Sequence, residues 1–259
     1  MKLATFIAPE GTQHAGEVRG EEVVAFSAGT VLDRLANGDR SRADGDTYPL
    51  SDVTLLAPVP RPPAIFCIGR NYAAHIAELK SEKPDKPLVF LKLPNSSAPP
   101  AGPVRIPKAS NALDYEVELT LVIGADAQIA GYAVADDVSA RDLQRTESQW
   151  SRAKAFDTSC PWGPWITTAD EVPDPLALRL TTHVNGEPRQ DSTTSDLIFG
   201  PAELIEFILQ ACTLEPGALI LTGTPSGVGE AFDPPRYLQP GDVVRCEVEG
   251  LGVLEHPIQ

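Results

Sequence analysis

The stretch Asn111-Ala-Leu-Asp-Tyr-Glu-Val-Glu-Leu-Thr-Leu-Val-Ile-Gly124 decides how this chain is read. Leu119, Leu121 and Ile123 alternate with Thr120 and Val122, and β-branched residues are common, so the stretch reads as a β-strand. Side chains two apart in a strand leave the same face. Glu116 and Glu118 therefore share a face, with Asp114 on the same parity behind them. Carboxylates held side by side repel one another unless water or a cation screens them. A solvated strand face and a metal site are both open at this point. The next segment, Ile129-Ala-Gly-Tyr-Ala-Val-Ala-Asp-Asp137, is apolar and then abruptly acidic. Consecutive strands usually lie side by side, so Asp137 is expected to reach the Glu116 and Glu118 face. Ala133 and Ala135, on its parity, are expected to leave room for a ligand. An all-oxygen set suits a hard cation, Mg2+, Mn2+ or Ca2+, better than zinc. Three protein ligands leave coordination positions open, which is an arrangement of catalytic metals more than of structural ones.

The whole chain has an ordinary globular composition, with 259 residues of which 42% are hydrophobic and 22% charged. That is long enough for a substantial core. One large unit with a small appendage is expected, divided as residues 1–58 and 59–259. The formal net charge of -15 argues against nucleic acid or an anionic membrane as partner. No apolar run is long enough to span a bilayer. The opening residues 1–10 hold too brief an apolar patch for a signal peptide, so a cytoplasmic protein is expected. Cys67, Cys160, Cys212 and Cys246 are scattered without a CxxC pair, and buried free thiols are expected.

Residues 2–8 and 22–27 read as strands, and Thr30 to Gly38 as a short helix capped by Thr30. After a cluster of prolines, Ala64 to Ile68 reads as a buried strand, followed by a helix over Ala73 to Leu79. His75 and Glu78 are three apart and lie on one helix face. An exposed His–Glu pair is the commoner case; the functional reading is a general base whose imidazole is oriented by a carboxylate. His14 reads as part of a polar loop, His183 as part of a strand. The segment Ser81 to Pro87 is a lid or a plain surface loop. Leu88 to Lys92 reads as a strand, and Ser139 to Ser151 as one helix with Ser139 as N-cap and Asp142 completing the cap. Lys154, among apolar and small residues, is either held inside a site or snorkels at the surface. Asn185-Gly186 marks a hairpin turn, and Pro201 to Cys212 an amphipathic helix. The loop Thr222 to Gly229 offers hydroxyls and backbone N–H groups to an anion, without the order of a nucleotide-binding loop.

Eight motifs carry a resemblance: Gly69-Arg-Asn-Tyr72, Asp114-Tyr-Glu-Val-Glu-Leu119, Asp137-Val-Ser-Ala-Arg-Asp142, Lys154-Ala-Phe-Asp157, Gly163-Pro-Trp165, Val184-Asn-Gly186, Thr222-Gly-Thr-Pro225 and Gly250-Leu-Gly252. In this order, from about residue 60 onward, they resemble the fumarylacetoacetate hydrolase family, in its acylpyruvase and 2-hydroxyhepta-2,4-diene-1,7-dioate isomerase branch. The resemblance implies an α+β, mainly β fold, a mixed β-sandwich roll with a small N-terminal α/β domain, assembled as a homodimer. It implies Mg2+ or Mn2+ on Glu116, Glu118 and Asp137. It implies catalytic roles for His75, Glu78, Lys154 and Gln144, and substrate contacts from Arg70, Tyr72, Gly223 and Thr224. The implied activity is metal-dependent cleavage of a 2,4-dioxo acid (an acylpyruvate) to pyruvate and a carboxylic acid. Oxaloacetate decarboxylation and 2-hydroxy-dienoate isomerisation or decarboxylation pass through related enolates and stand as alternatives, as does a non-catalytic metal- or carboxylate-binding protein. The chain departs from the family pattern at Asp136, where Asn is common, and at Trp162, where a smaller apolar residue is common. The first is expected to change the charge beside the ligands, the second to narrow the pocket.

Overall fold

Residues Val117–Ile123 form a strand buried along its whole length. Its apolar residues can point both ways because both faces of the sheet around it are covered. The structure, a computed structural model, describes all 259 residues. In chain order the elements begin β1 (Lys2–Ile7), β2 (Gln13–Arg19), β3 (Glu22–Ala25), α1 (Val31–Asn37), β4 (Thr47–Pro49), β5 (Thr54–Leu56), β6 (Ile65–Gly69), α2 (Ala73–Glu78) and β7 (Leu88–Lys92). They continue with β8 (Ser97–Ala98), β9 (Leu113–Asp114), β10 (Val117–Ile123), β11 (Ile129–Asp136), β12 (Ser139–Ala140), α3 (Arg141–Thr146) and α4 (Ser151–Lys154). The last are β13 (Cys160–Thr168), β14 (Arg179–Val184), β15 (Glu187–Thr193), α5 (Pro201–Leu209), β16 (Leu219–Leu221), β17 (Val243–Val248) and β18 (Gly252–Pro257).

A 12-stranded sheet runs β4-β3-β2-β1-β13-β11-β10-β16-β6-β7, with β5 beside β1 and β8 beside β13. It is mixed, because β16 pairs with β6 in parallel and β10 with β11 antiparallel. A second sheet, β15-β14-β17-β18, has four strands. Its inner residues Leu180, Val244, Val248 and Leu254 share one core with Val117, Leu119, Leu121 and Ile123 of β10. The opposite face of the large sheet forms another core, in which Val122, Ala133, Leu219 and Trp162 pack with Val31 and Leu35 of α1. The fold is thus the mainly β, sandwiched roll that the resemblance implies.

Helix α1 begins where its cap dictates. Thr30 Oγ1 accepts the Asp33 N–H at 3.1 Å, Asp33 Oδ2 accepts the Thr30 N–H at 2.8 Å, and Gly38 ends the helix at φ 60°. The β14–β15 turn has Asn185 and Gly186 at φ 51° and 79°, as a two-residue hairpin requires.

Several expectations do not survive. The single helix over Ser139 to Ser151 is two short helices, α3 and α4, separated by residues 147–150. Ser139 lies in β12, paired with Asp114, and caps nothing. Asp142 instead ties down the loop before β9, accepting from Ser110 Oγ at 2.6 Å and the Asn111 N–H at 2.8 Å. His14 sits in β2 with its ring 5.6 Å from that of Phe6, not in a loop. Cys67, Cys160 and Cys246 are buried, but Cys212 is exposed. Ala133 and Ala135 leave no room for a ligand: they are packed in the second core with Trp162. Trp162 does not narrow the cavity described below; it is buried, and its Nε1 donates to Ser97 Oγ at 2.9 Å.

Candidate active site

Glu116 and Glu118 enter at the start of β10, and Asp137 follows the last residue of β11. Val117 is in register with Asp136, and the Asp137 N–H donates to the Glu116 carbonyl at 2.9 Å. This pairing brings ligand oxygens of Glu116, Glu118 and Asp137 within 4.8 Å of one another, all three residues being buried. Asp114 does not join them despite its parity. It accepts from Arg141 Nε at 2.8 Å and from the Gly229 and Glu230 N–H groups at 2.7 and 3.0 Å.

Three buried cations surround the cluster. Lys154 Nζ lies 2.7 Å from Glu116 Oε2 and 2.8 Å from Asp137 Oδ2. Lys92 Nζ donates to Asp137 Oδ1 at 2.6 Å and also to the Lys154 carbonyl. Arg141 Nη2 lies 2.7 Å from Glu116 Oε1, an ion pair without hydrogen-bond alignment, so this buried nitrogen has no hydrogen-bond partner. Burial opposes ionisation of Glu116, but Lys154 and Arg141 outweigh it and hold the carboxyl down at about 2. Burial also disfavours the Lys154 ammonium, and Asp137 and Glu116 more than offset it, raising its pKa. Glu118 is different. Its hydrogen-bond donor is the Gly223 N–H at 2.5 Å. Burial, then the charges of Asp137 and Glu116, push its carboxyl well above the ordinary range. A buried carboxylate short of positive charge, beside two others presenting oxygens, fits a divalent hard cation.

A cavity of about 330 Å³, at the small end for ligand sites, reaches this cluster at Glu116; Glu118 and Asp137 are not among its lining residues. Glu116, Arg141 and Lys154 form its buried end, and Arg70, Phe90 and Trp150 line it where the residues are only partly buried. His75, Leu79 and Ser81 line it from α2 and the loop that follows. His75 Nδ1 is 2.7 Å from Glu78 Oε1, while Glu78 Oε2 accepts the Gly227 N–H at 2.9 Å. With Nδ1–H directed at the carboxylate, Nε2 is the basic nitrogen. Gln144 lines the cavity and accepts from Arg141 Nη1 at 2.9 Å, which leaves its amide NH2 free. Thr224 lines it too, but its hydroxyl donates to the Val117 carbonyl at 2.9 Å and accepts from Gln190 at 2.8 Å. Tyr72 and Gly223 are not among the lining residues. Tyr72 is buried with an unpartnered hydroxyl, and Gly223, at φ 101°, acts on Glu118 through its N–H.

The anion-binding expectation for the 222–229 loop is met from within. Its N–H groups at Gly223, Gly227 and Gly229 serve Glu118, Glu78 and Asp114. Lys92 and Arg141 were not singled out from the sequence. The alternation of β7 would have pointed inward with Val89 and Leu91, yet Leu91 is exposed and Lys92 is buried. Asp136 lies beside the cluster, where its carboxyl is met by His256 Nε2 at 3.0 Å and accepts the Glu116 N–H at 2.7 Å.

The family model for the fumarylacetoacetate (FAA) hydrolase C-terminal region matches residues 64–259, and the Rv2993c-like N-terminal model matches residues 1–58. The chain belongs to the fumarylacetoacetate hydrolase family. It is 45% identical over 218 residues to the mitochondrial oxaloacetate tautomerase FAHD2A of Bos taurus, covering 80% of this chain and 69% of that protein. The structure of a 5-carboxymethyl-2-hydroxymuconate delta-isomerase from Mycobacterium smegmatis superposes with a TM-score of 0.84 at 36% identity, covering 100% of this chain and 99% of that one. A fumarylacetoacetate hydrolase from psychrophilic Exiguobacterium antarcticum gives 0.88 at 34% identity, with 100% and 99% covered. The protein is therefore an enzyme of this family, and no helix in it is long and apolar enough to cross a membrane.

Proposed function

We propose that the protein enolises a small 2-oxo acid, and that keto–enol tautomerisation is its reaction. The observation that carries this is His75, held by Glu78 at 2.7 Å, on the wall of a cavity whose buried end holds Glu116, Arg141 and Lys154. A divalent cation on Glu116, Glu118 and Asp137, when bound, would act as a Lewis acid on the 2-oxo group and offset the charge of the enolate. His75 Nε2 takes a proton from C3 of the substrate, the C3–H bond breaks, and the proton is returned to the 2-oxygen. Glu78 holds the ring in that tautomer and favours the imidazolium that forms. Arg141, whose Nη2 is ion-paired with Glu116 but makes no hydrogen bond, and the Lys154 ammonium face the 1-carboxylate and the oxygen on which charge develops. The free amide of Gln144 donates to the same oxygen. The names of the tautomerase and isomerase relatives support proton transfer over bond cleavage.

A second reading is hydrolysis of an acylpyruvate, with His75 taking its proton from water rather than from C3, so that hydroxide attacks the 4-carbonyl. It is supported by the clamping of Glu78 between His75 and the Gly227 N–H, which fixes the imidazole as a base on the cavity wall. We assign the working unit to a homodimer, supported by exposed Leu91 and Leu93 on and just beyond the edge strand β7, and checked by sedimentation.

The test follows the ultraviolet absorbance of enol-oxaloacetate and the release of pyruvate from acetylpyruvate and oxaloacetate, with Mg2+, Mn2+ or EDTA. Metal-dependent decay of the enol without pyruvate supports the tautomerase. Pyruvate from acetylpyruvate moves the assignment to the hydrolase, and pyruvate from oxaloacetate alone to the decarboxylase. Silence in every arm with cation bound leaves a binding protein.

A further inference from the structure

Strand β10 runs on beyond the neighbour that covers it. Its pairing with β16 ends at Thr120 opposite Leu221, and one further bond, from the Thr222 N–H to the Leu119 carbonyl at 3.1 Å, closes the ladder before the chain turns at Gly223. The two glutamates of the cluster lie past that point, on either side of Val117. In an antiparallel ladder alternate residues bond to opposite neighbours. Glu116 takes the Asp137 N–H on the β11 side, so Val117 turns its own N–H and C=O the other way, where β16 no longer reaches. Val117 is fully buried, and an unmet backbone polar group there would be costly.

Gln190, from β15 of the other sheet, supplies the missing edge. It is buried, and its amide is fully used. Oε1 accepts from the Val117 N–H at 3.1 Å and from Thr182 Oγ1 at 2.8 Å, while Nε2 donates to Thr224 Oγ1 at 2.8 Å and to the Pro225 carbonyl at 2.9 Å. A backbone N–H only donates and a carbonyl only accepts, so Val117 and Pro225 fix which way the amide points. Nε2 therefore donates to Thr224, whose own proton goes to the Val117 carbonyl at 2.9 Å. The peptide groups that join Val117 to Glu116 and to Glu118 are thus both tied to one side chain, the second through Thr224. The chain is shaped locally for this. Thr182 pairs with Gln190 but His183 with Pro188, so Arg189 is the extra residue of a bulge, a device that re-aims side chains. The 222–229 loop settles on that bulge, with Gly227 so close to the Arg189 carbonyl that no Cβ would fit between them.

We propose that Gln190 is a positioning residue of the cation site: acting through Val117 and Thr224, it sets the placement of Glu116 and Glu118 so that both present oxygens to one divalent ion. This rests on the reading of Glu116, Glu118 and Asp137 as cation ligands and adds the group that holds two of them in register. A Gln190 that only joined the two sheets would contribute stability and leave cation affinity alone.

Calorimetry with Mn2+, with Tm measured alongside, separates the two roles. Gln190→Met keeps the length of the side chain and loses the amide. Thr182→Val removes a hydrogen bond to the same Oε1 and leaves the bonds to Val117 and Thr224 in place. Gln190→Met is expected to weaken Mn2+ binding about 10–100-fold, the usual effect of removing a partner that orients metal ligands. Thr182→Val is expected to lower Tm, as the loss of a buried hydrogen bond does, with Mn2+ affinity unchanged. Should Gln190→Met not fold, Gln190→Asn carries the test: it keeps a polar amide but is a methylene too short to span Val117 and Thr224 together, and is expected to weaken binding in the same sense. Undiminished affinity in a folded Gln190 variant, or an equal loss in Thr182→Val, overturns the positioning role and leaves the cation reading intact. Absence of Mn2+ binding in the unsubstituted protein overturns both.

Discussion

Two buried glutamates, Glu17 in the N-terminal strands and Glu118 in β10, are each only 1% exposed and live in opposite electrostatic circumstances. Glu17 Oε2 accepts from Arg19 Nη2 at 2.5 Å and the Ala43 N–H at 3.2 Å, and Arg42 Nε lies 3.1 Å from Oε1. Burial opposes its ionisation, but these partners outweigh burial and lower its pKa. Glu118 has the Gly223 N–H and two neighbouring carboxylates, and its pKa is raised. In the first region the chain supplies every counter-charge itself, and the carboxylate is part of the fold. In the second it withholds one, leaving a charge imbalance that only something from outside the chain removes. Such an imbalance costs stability and marks a site more surely than acidity does.

The sharpest way to break this comparison is to neutralise each glutamate. Glu118→Gln is expected to abolish divalent-cation binding by calorimetry and to lower kcat/KM on the order of 10³-fold, the scale of losing a preorganised charge stabiliser. The same change is expected to raise the Tm of the cation-free protein at high pH, above the raised pKa, where the buried carboxyl would otherwise ionise without a counter-charge. Glu17→Gln should do the reverse, lowering stability by about 1–3 kcal/mol while leaving kcat/KM as it was. A Glu17 variant that loses activity, or a Glu118 variant destabilised without cation, defeats the contrast.

His75→Ala comes next. A lost general base is expected to cost about 10²–10⁴-fold in kcat with cation affinity retained, since His75 binds none of the three carboxylates. Loss of cation binding in this variant would show that α2 holds the cluster together rather than serving it.

The pH dependence sharpens the same point. Glu116, held at about 2, contributes stability that is present above its ordinary value of 4.5 and is lost as pH falls towards 2. Glu118 runs the other way: with its pKa raised, its contribution is complete below 4.5 and is lost as pH rises through the shifted value. A cation competes with the proton for Glu118. Saturating Mg2+ or Mn2+ is therefore expected to raise Tm more at pH 8 than at pH 5, by several degrees; equal increments at the two pH values would contradict the assignment of Glu118.

Much of this was legible in the sequence because strand parity is local. Glu116 and Glu118 two apart, and Asp137 at the end of the following strand, are consequences of period and of hairpin pairing. The His75–Glu78 pair followed from helical spacing in the same way. What escaped depends on long-range pairing. Lys92 reads as the polar end of an apolar strand, and only the packing of β7 against α4 and the Asp137 turn makes it the inward residue. Arg141 was lost inside a helix drawn too long: pairing of Ser139 with Asp114 starts α3 two residues later and turns Arg141 onto Asp114 and Glu116. The fate of the 222–229 loop was hidden for the same reason, since its anions come from residues 78, 114 and 118.

The smallest expected effect tests whether the two regions are independent at all. Thr30→Ala removes one half of the α1 capping box and is expected to cost about 1 kcal/mol, or about 2–4 °C in Tm for a chain of this size. Helix α1 packs where β10 ends: the Leu35 carbonyl lies 3.5 Å from where a Cβ on Gly124 would stand, at the opposite end of the strand from Glu116. The strand between them is buried throughout and paired on both sides, so it transmits position well. If the N-terminal region is support alone, the Thr30 variant melts earlier but binds cation and turns over substrate as before. A fall in cation affinity beyond about twofold, larger than the scatter of such measurements, would mean that loosening α1 shifts β10 along its axis and misplaces Glu116 and Glu118. The self-sufficient region would then be part of what holds the incomplete one in register.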